Sequence, residues 1–105
     1  MGGANFETAV IMEVFKALVY RGQDPPLYFW RTAAGREVDL VVDVGGQLIP
    51  IEVKLTATPR PEMVEGIAAF RSALGSRVGP GWLVHPGDTQ LPLGAGVRSI
   101  PFADL

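Results

Sequence analysis

The stretch "EVDLVVDVGGQLIPIEVK", residues 37–54, decides the fold. β-Branched and leucine residues on both sides of Gly45-Gly46 predict two strands, 37–44 and 47–55. The glycine pair predicts a tight hairpin, because glycine adopts the positive φ angles of a two-residue turn without strain. With the glycines as the loop, Val44 faces Gln47. The same register sets Val42 against Ile49, Leu40 against Ile51 and Val38 against Val53, an unbroken apolar face. The other face carries Asp39 across from Glu52, Val41 across from Pro50, and Lys54 across from Glu37. Sliding either strand by one residue would drive Asp39 or Glu52 into the core, so the pattern resists that alternative.

Asp39 and Glu52 fall in the non-hydrogen-bonded class of pairs, where Cα atoms approach to about 4.5 Å. Two carboxylates so placed repel each other. A divalent cation between them, with Lys54 alongside, would turn the repulsion into an oxygen site of the kind magnesium prefers. Alternatively, the face is solvated and Glu37 pairs with Lys54, a surface ion pair of little worth. Pro50 has no N–H to offer on the side away from strand 37–44, so a strand there must skip a bond or bulge.

Working outward, residues 6–20 predict a helix, with Asn5 as its N-cap and Gly22 just past its end. On a helical wheel Glu7 sits in the middle of the apolar face, flanked by Val10, Ile11, Val14 and Leu18, whereas Glu13 lies on the polar side with Thr8, Met12 and Lys16. An ionised group aimed at the core is costly without a partner. Either Glu7 answers the positive end of the helix dipole, or the helix presents it to the same cation as Asp39 and Glu52. Residues 27–32 read as an aromatic strand. A second helix, 61–74, starts at Pro61, stops at Gly75, and is slightly weakened by Gly66. Residues 81–85 read as a short buried strand and 97–102 as a final edge strand, since Pro101 is poorly tolerated in a central one. The glycine- and proline-rich segment 86–96 reads as a mobile loop, and His85 as a structural residue. The order α-β-β-β-α-β, with a further strand, is that of an α/β domain.

A chain of 105 residues, 48% of them hydrophobic, supports one domain with a modest core, 1–105. It has no cysteine, which excludes disulfide frameworks and thiolate metal sites and fits a reducing cytoplasm. No run reaches the roughly 20 apolar residues that span a bilayer, and the start lacks the features of a signal peptide. The expectation is a cytoplasmic protein with no membrane partner. A net charge of −2, from nine basic and eleven acidic residues, excludes a protein that coats nucleic acid by bulk electrostatics, and leaves a local DNA site open. A mean hydropathy of +0.24 implies apolar surface covered by a partner, by another copy, or by the rest of a longer chain.

A helix with "GANFE", three strands with an acid in the second and Glu-x-Lys in the third ("EVDLVVD", "IEVK"), then helix and strand, resembles the PD-(D/E)xK nuclease superfamily of Holliday-junction resolvases and restriction endonucleases. The resemblance implies a restriction-endonuclease-like αβββαβ core, a mixed sheet flanked by helices. Its site residues fall on Glu7, Asp39, Glu52 and Lys54. The carboxylates and the Val53 carbonyl would bind Mg²⁺ or Mn²⁺, and Lys54 would help position or activate the attacking water. Arg31, Arg36 and Arg60 are candidate phosphate contacts. Val38 stands where the nuclease signature has proline. The stretches "FETAVIMEVFK", "YFWRTAAGREVDLVVDVGGQLIPIEVKLT" and "SIPFADL" further resemble an uncharacterised C-terminal domain that follows an AAA-type ATPase module in prokaryotic proteins. That likeness implies the end of a longer ATPase protein, with an ATPase module or a second copy as partner. No GxxxxGK[ST] phosphate loop occurs in the sequence. Two functions follow as expectations. One is metal-dependent hydrolysis of DNA phosphodiesters; the other is a catalytically silent, nuclease-like module for interaction or DNA docking.

Overall fold

The computed structural model describes residues 3–20, 22 and 27–105. Its order is α1 (Gly3–Tyr20), β1 (Leu27–Arg31), β2 (Glu37–Val44), β3 (Gln47–Val53), α2 (Glu65–Leu74), β4 (Gly81–His85), β5 (Pro92–Gly94) and β6 (Val97–Pro101). A single turn of 3₁₀ helix, Pro61–Val64, leads into α2. The strands form one six-stranded sheet in the order β1-β2-β3-β4-β6-β5. β1, β2 and β3 run antiparallel, β4 joins β3 in parallel, β6 joins β4 in parallel, and β5 closes the edge antiparallel. The protein is a mixed α/β fold. Among the described residues no helix is long and apolar enough to cross a membrane.

The hairpin turns at Gly45 and Gly46, with φ of 61° and 89°. Its register is the one the glycine loop dictates, Val44 with Gln47 through to Leu40 with Ile51. Both faces of the sheet are covered. α1 lays Phe6 and Val10 on Leu40, Val42, Ile51 and Val53, while α2 lays Ile67 and Phe70 on Val41, Leu48, Leu83 and Val97. Double coverage explains why "LIPIEV" and "GWLVH" read as nearly continuous apolar runs rather than clean alternations.

Several expectations need correction. α1 begins at Gly3, so Asn5 lies within its first turn and is not the N-cap. Its deepest residues are Phe6 and Val10, with Glu7 half-buried on their flank. The side chain of Leu18, placed on the apolar face of α1, lies outside the described residues. The segment 86–96 is not all loop, since it contains β5. β6 is interior: β4 flanks it on one side and β5 on the other. Pro101 is tolerated there because β5 pairs only with Val97 and Arg98, leaving no strand to miss its N–H. At Pro50 the expected irregularity is present. Between Leu48–Val78 and Ile51–Trp82 the register advances three residues on β3 and four on its neighbour.

Another correction shapes the site. Tyr28 pairs with Val41 and Trp30 with Val38, so β2 carries one residue more than β1, and Asp39 with Leu40 together oppose Phe29. This is a β-bulge, which bends its strand and re-aims its side chains. It sends Val38 into the α2-side core with Ile67 and Phe70, not onto the Leu40 face that simple alternation assigns it.

Candidate functional site

The β2–β3 ladder stops at Leu40–Ile51, one step short of the expected Asp39–Glu52 pair. The bulge is the reason. In place of a backbone partner, Val53 donates its N–H to Oδ2 of Asp39 at 2.8 Å. Within a strand the amide and carbonyl of one residue project toward the same neighbour, so the Val53 carbonyl faces the gap beside Asp39.

Glu52 comes from the α2 face of β3 and is 5% exposed. Its Oε2 lies 3.5 Å from Nζ of Lys54, while Oε1 is buried without a hydrogen-bond partner. Burial, foremost, and then the Asp39 charge push its carboxyl up to about 8, with Lys54 pulling the other way. A raised carboxyl with an orphaned oxygen beside a second carboxylate is an arrangement whose repulsion a cation would relieve. Lys54 is fixed at its backbone, because its N–H donates to the Val84 carbonyl at 3.0 Å and carries the parallel ladder one residue past β3. Its side chain is partly exposed. The alternative Glu37–Lys54 pair does not form: Glu37 holds Arg31 at 3.2 Å and Lys54 holds Glu52.

Two clefts meet at Asp39. One, of about 200 Å³ on the α2 side, is lined by Asp39, Glu52, Lys54, Arg36 and Gly66. The other, of about 480 Å³, is lined by Asp39, Glu7, Ile11, Phe29 and Arg31. Glu7 therefore reaches Asp39 from the opposite side to Glu52. Electrostatics agree: burial, then Asp39 and Glu37, raise the Glu7 carboxyl while Lys54 lowers it, and Glu7 is not among the charges that move Glu52. The structure brings Asp39, Glu52 and Lys54 together with the Val53 amide, and sets Glu7 apart across Asp39. Among the described residues no three His, Cys, Asp or Glu side chains stand close enough together to hold an ion. The donor set that fits a hard cation is thus two carboxylates and a carbonyl, in keeping with magnesium's habit of taking one or two carboxylates and keeping several waters.

Of the arginines, Arg31 and Arg36 line the clefts and are ion-paired, Arg36 with Glu65 at 2.7 Å. Arg60 sits exposed just before the 3₁₀ turn. His85 is fully buried, its Nδ1 accepting the Gly87 N–H at 3.1 Å and its Nε2 set 2.9 Å from the Thr89 carbonyl. It clips the loop after β4 and takes no part in the site.

Sequence reasoning missed two features. The bulge has no local marker, since neither glycine nor asparagine occurs at Val38-Asp39-Leu40. Gly66, read as a weak helix residue, is where α2 passes against the Glu37 carbonyl so closely that a Cβ would strike it. A glycine inside a helical pattern is the signal that could have found that approach.

The family model described as Domain of unknown function (DUF4143) matches residues 2–105. Uncharacterized protein Rv2008c of Mycobacterium tuberculosis (strain ATCC 25618 / H37Rv) is 33% identical over 100 residues, covering 94% of this chain and 21% of that protein. Uncharacterized protein Mb2031c of Mycobacterium bovis (strain ATCC BAA-935 / AF2122/97) gives the same identity and the same coverage. The chain thus spans about a fifth of the length of the curated relatives it matches. No solved structure matches it.

Proposed function

The chain belongs to the DUF4143 family, and we propose that its Asp39–Glu52–Lys54 cluster is a metal-dependent phosphodiesterase site of the PD-(D/E)xK type, acting on DNA. The observation that carries this reading is the orphaned, buried Oε1 of Glu52, set beside Asp39 with a lysine ammonium within 3.5 Å of its partner oxygen. Asp39, Glu52 and the Val53 carbonyl would hold Mg²⁺ or Mn²⁺. That ion would supply Lewis acidity toward a phosphate oxygen and make water a better nucleophile.

The chain's own groups have distinct tasks. The Val53 N–H fixes one oxygen of Asp39 and so holds its carboxylate at one orientation. Glu52, once ionised, balances the positive charge brought into its buried pocket. Lys54, anchored by its backbone and with its partly exposed ammonium 3.5 Å from Glu52, donates to the phosphate oxygens as charge builds on them. Glu7 flanks Asp39 from the far cleft and adds negative charge there. Its role is to steady the environment of Asp39.

A plasmid-nicking assay with Mn²⁺ tests the proposal, run on the native chain and on Lys54→Ala, and on a longer protein that contains the domain. The expected result is nicking by the native chain and a loss of about 100-fold in the variant. A second reading, a silent interaction or DNA-docking module attached to an AAA-type ATPase, is favoured by the apolar side chains exposed along α1 and β1: Met12, Phe15, Val19, Tyr20, Tyr28 and Phe29. Nicking by neither protein would support it.

A further inference from the structure

Neither packing nor charge accounts for Phe29. It is 81% exposed on β1, an edge strand, whereas its neighbour Trp30 turns inward and packs edge-on against Phe70, ring centroids 5.3 Å apart. A single exposed aromatic is ordinary on any surface. This one lines the same cleft as Asp39, Glu7, Ile11 and Arg31. The bulge moreover sets Asp39 opposite it on the adjoining strand, so the two backbones lie one strand spacing, roughly 4.8 Å, apart. An aromatic side chain and one of the carboxylates assigned to the ion therefore border one cleft.

Charge narrows the occupant. Duplex binding depends on many phosphates neutralised by lysine and arginine, and this chain has nine such residues against eleven acids. Arg31 and Arg36, the arginines at the two clefts, are already engaged by Glu37 and Glu65. A strand with unpaired bases adds stacking on an aromatic ring to its phosphate contacts, a gain that a duplex, whose base faces stay inside its own stack, does not have. Building on the phosphodiesterase reading, we infer that the cleft takes single-stranded or locally unpaired nucleic acid, with an unstacked base on the Phe29 ring beside Ile11 and the adjoining phosphate at the ion that Asp39 would hold with Glu52.

The test is titration of the chain into oligonucleotides carrying 2-aminopurine, as single strand, fork and matched duplex, with Ca²⁺ in place of Mn²⁺ to separate binding from cutting. Single strand and fork bind more tightly than duplex and their fluorescence changes. Phe29→Ala weakens single-strand binding about tenfold and leaves duplex binding unchanged, while Phe29→Trp retains the preference. Equal affinity for single strand and duplex, single-strand binding unaltered in Phe29→Ala, or no binding to any of the three overturns the inference. Failure of the parent reading looks different. A Phe29-dependent preference for single strand without nicking in Mn²⁺ refutes cutting alone, whereas nicking that Phe29→Ala leaves intact on a single-stranded circle refutes the stacking site alone.

Discussion

At Glu52 one carboxyl group carries the chemical meaning of the site and a cost to the fold. Folded, it holds its proton to about pH 8, against an ordinary glutamate value of 4.5, so between those values the folded state binds more protons than the unfolded one. Stability is therefore complete below the lower value and falls as pH rises through the higher. The metal-free protein should melt at a lower temperature at about pH 9 than at about pH 5, a loss on the order of 3 kcal/mol, measured by thermal unfolding across that range. Glu52→Gln should flatten the slope, because a neutral amide has no proton to lose. Mn²⁺ should restore much of the loss in the native chain, as a ligand of the folded state does, and very little in the variant. A native profile that is flat over this window would mean that Glu52 is not held as described.

Among the elements, the hairpin was the most legible, since two glycines and alternating apolar residues fix its register through Leu40–Ile51 without reference to any partner. Beyond that point local pattern fails. Whether Val38 faces α1 or α2 depends on a bulge selected by β1 and α2, and nothing at Val38-Asp39-Leu40 announces it. The sequence likewise brought Asp39, Glu52 and Lys54 to one end of the hairpin. It could not tell that Glu7 arrives on the opposite face, because that depends on which side of the sheet α1 covers. β6 was misplaced at the edge for a similar reason: the proline rule was sound, but β5 proves too short to invoke it. Gly66 gives the element-scale prediction. A methyl group there would drive into the Glu37 carbonyl, so Gly66→Ala, usually favourable within a helix, should instead destabilise the chain by about 2–4 kcal/mol in denaturant titration. The displaced start of α2 should also loosen the Glu52 cleft and weaken Mn²⁺ binding. A variant as stable as the native chain would show that α2 does not pack against β2 so closely.

Over the whole molecule the acidic balance, the pairing of both cleft arginines with glutamates and the doubly covered sheet argue against binding by the general surface, so the proposed binding is local. The chain is about a fifth of the length of its curated relatives. The central claim is narrower and concerns the end of one hairpin. It is tested most directly by the anomalous diffraction of manganese in crystals soaked with Mn²⁺. The account predicts a peak bonded to the carboxylates of both Asp39 and Glu52, on the side of the gap faced by the Val53 carbonyl. Crystals with no peak there, and with Glu52 still held by Lys54 alone, would contradict it.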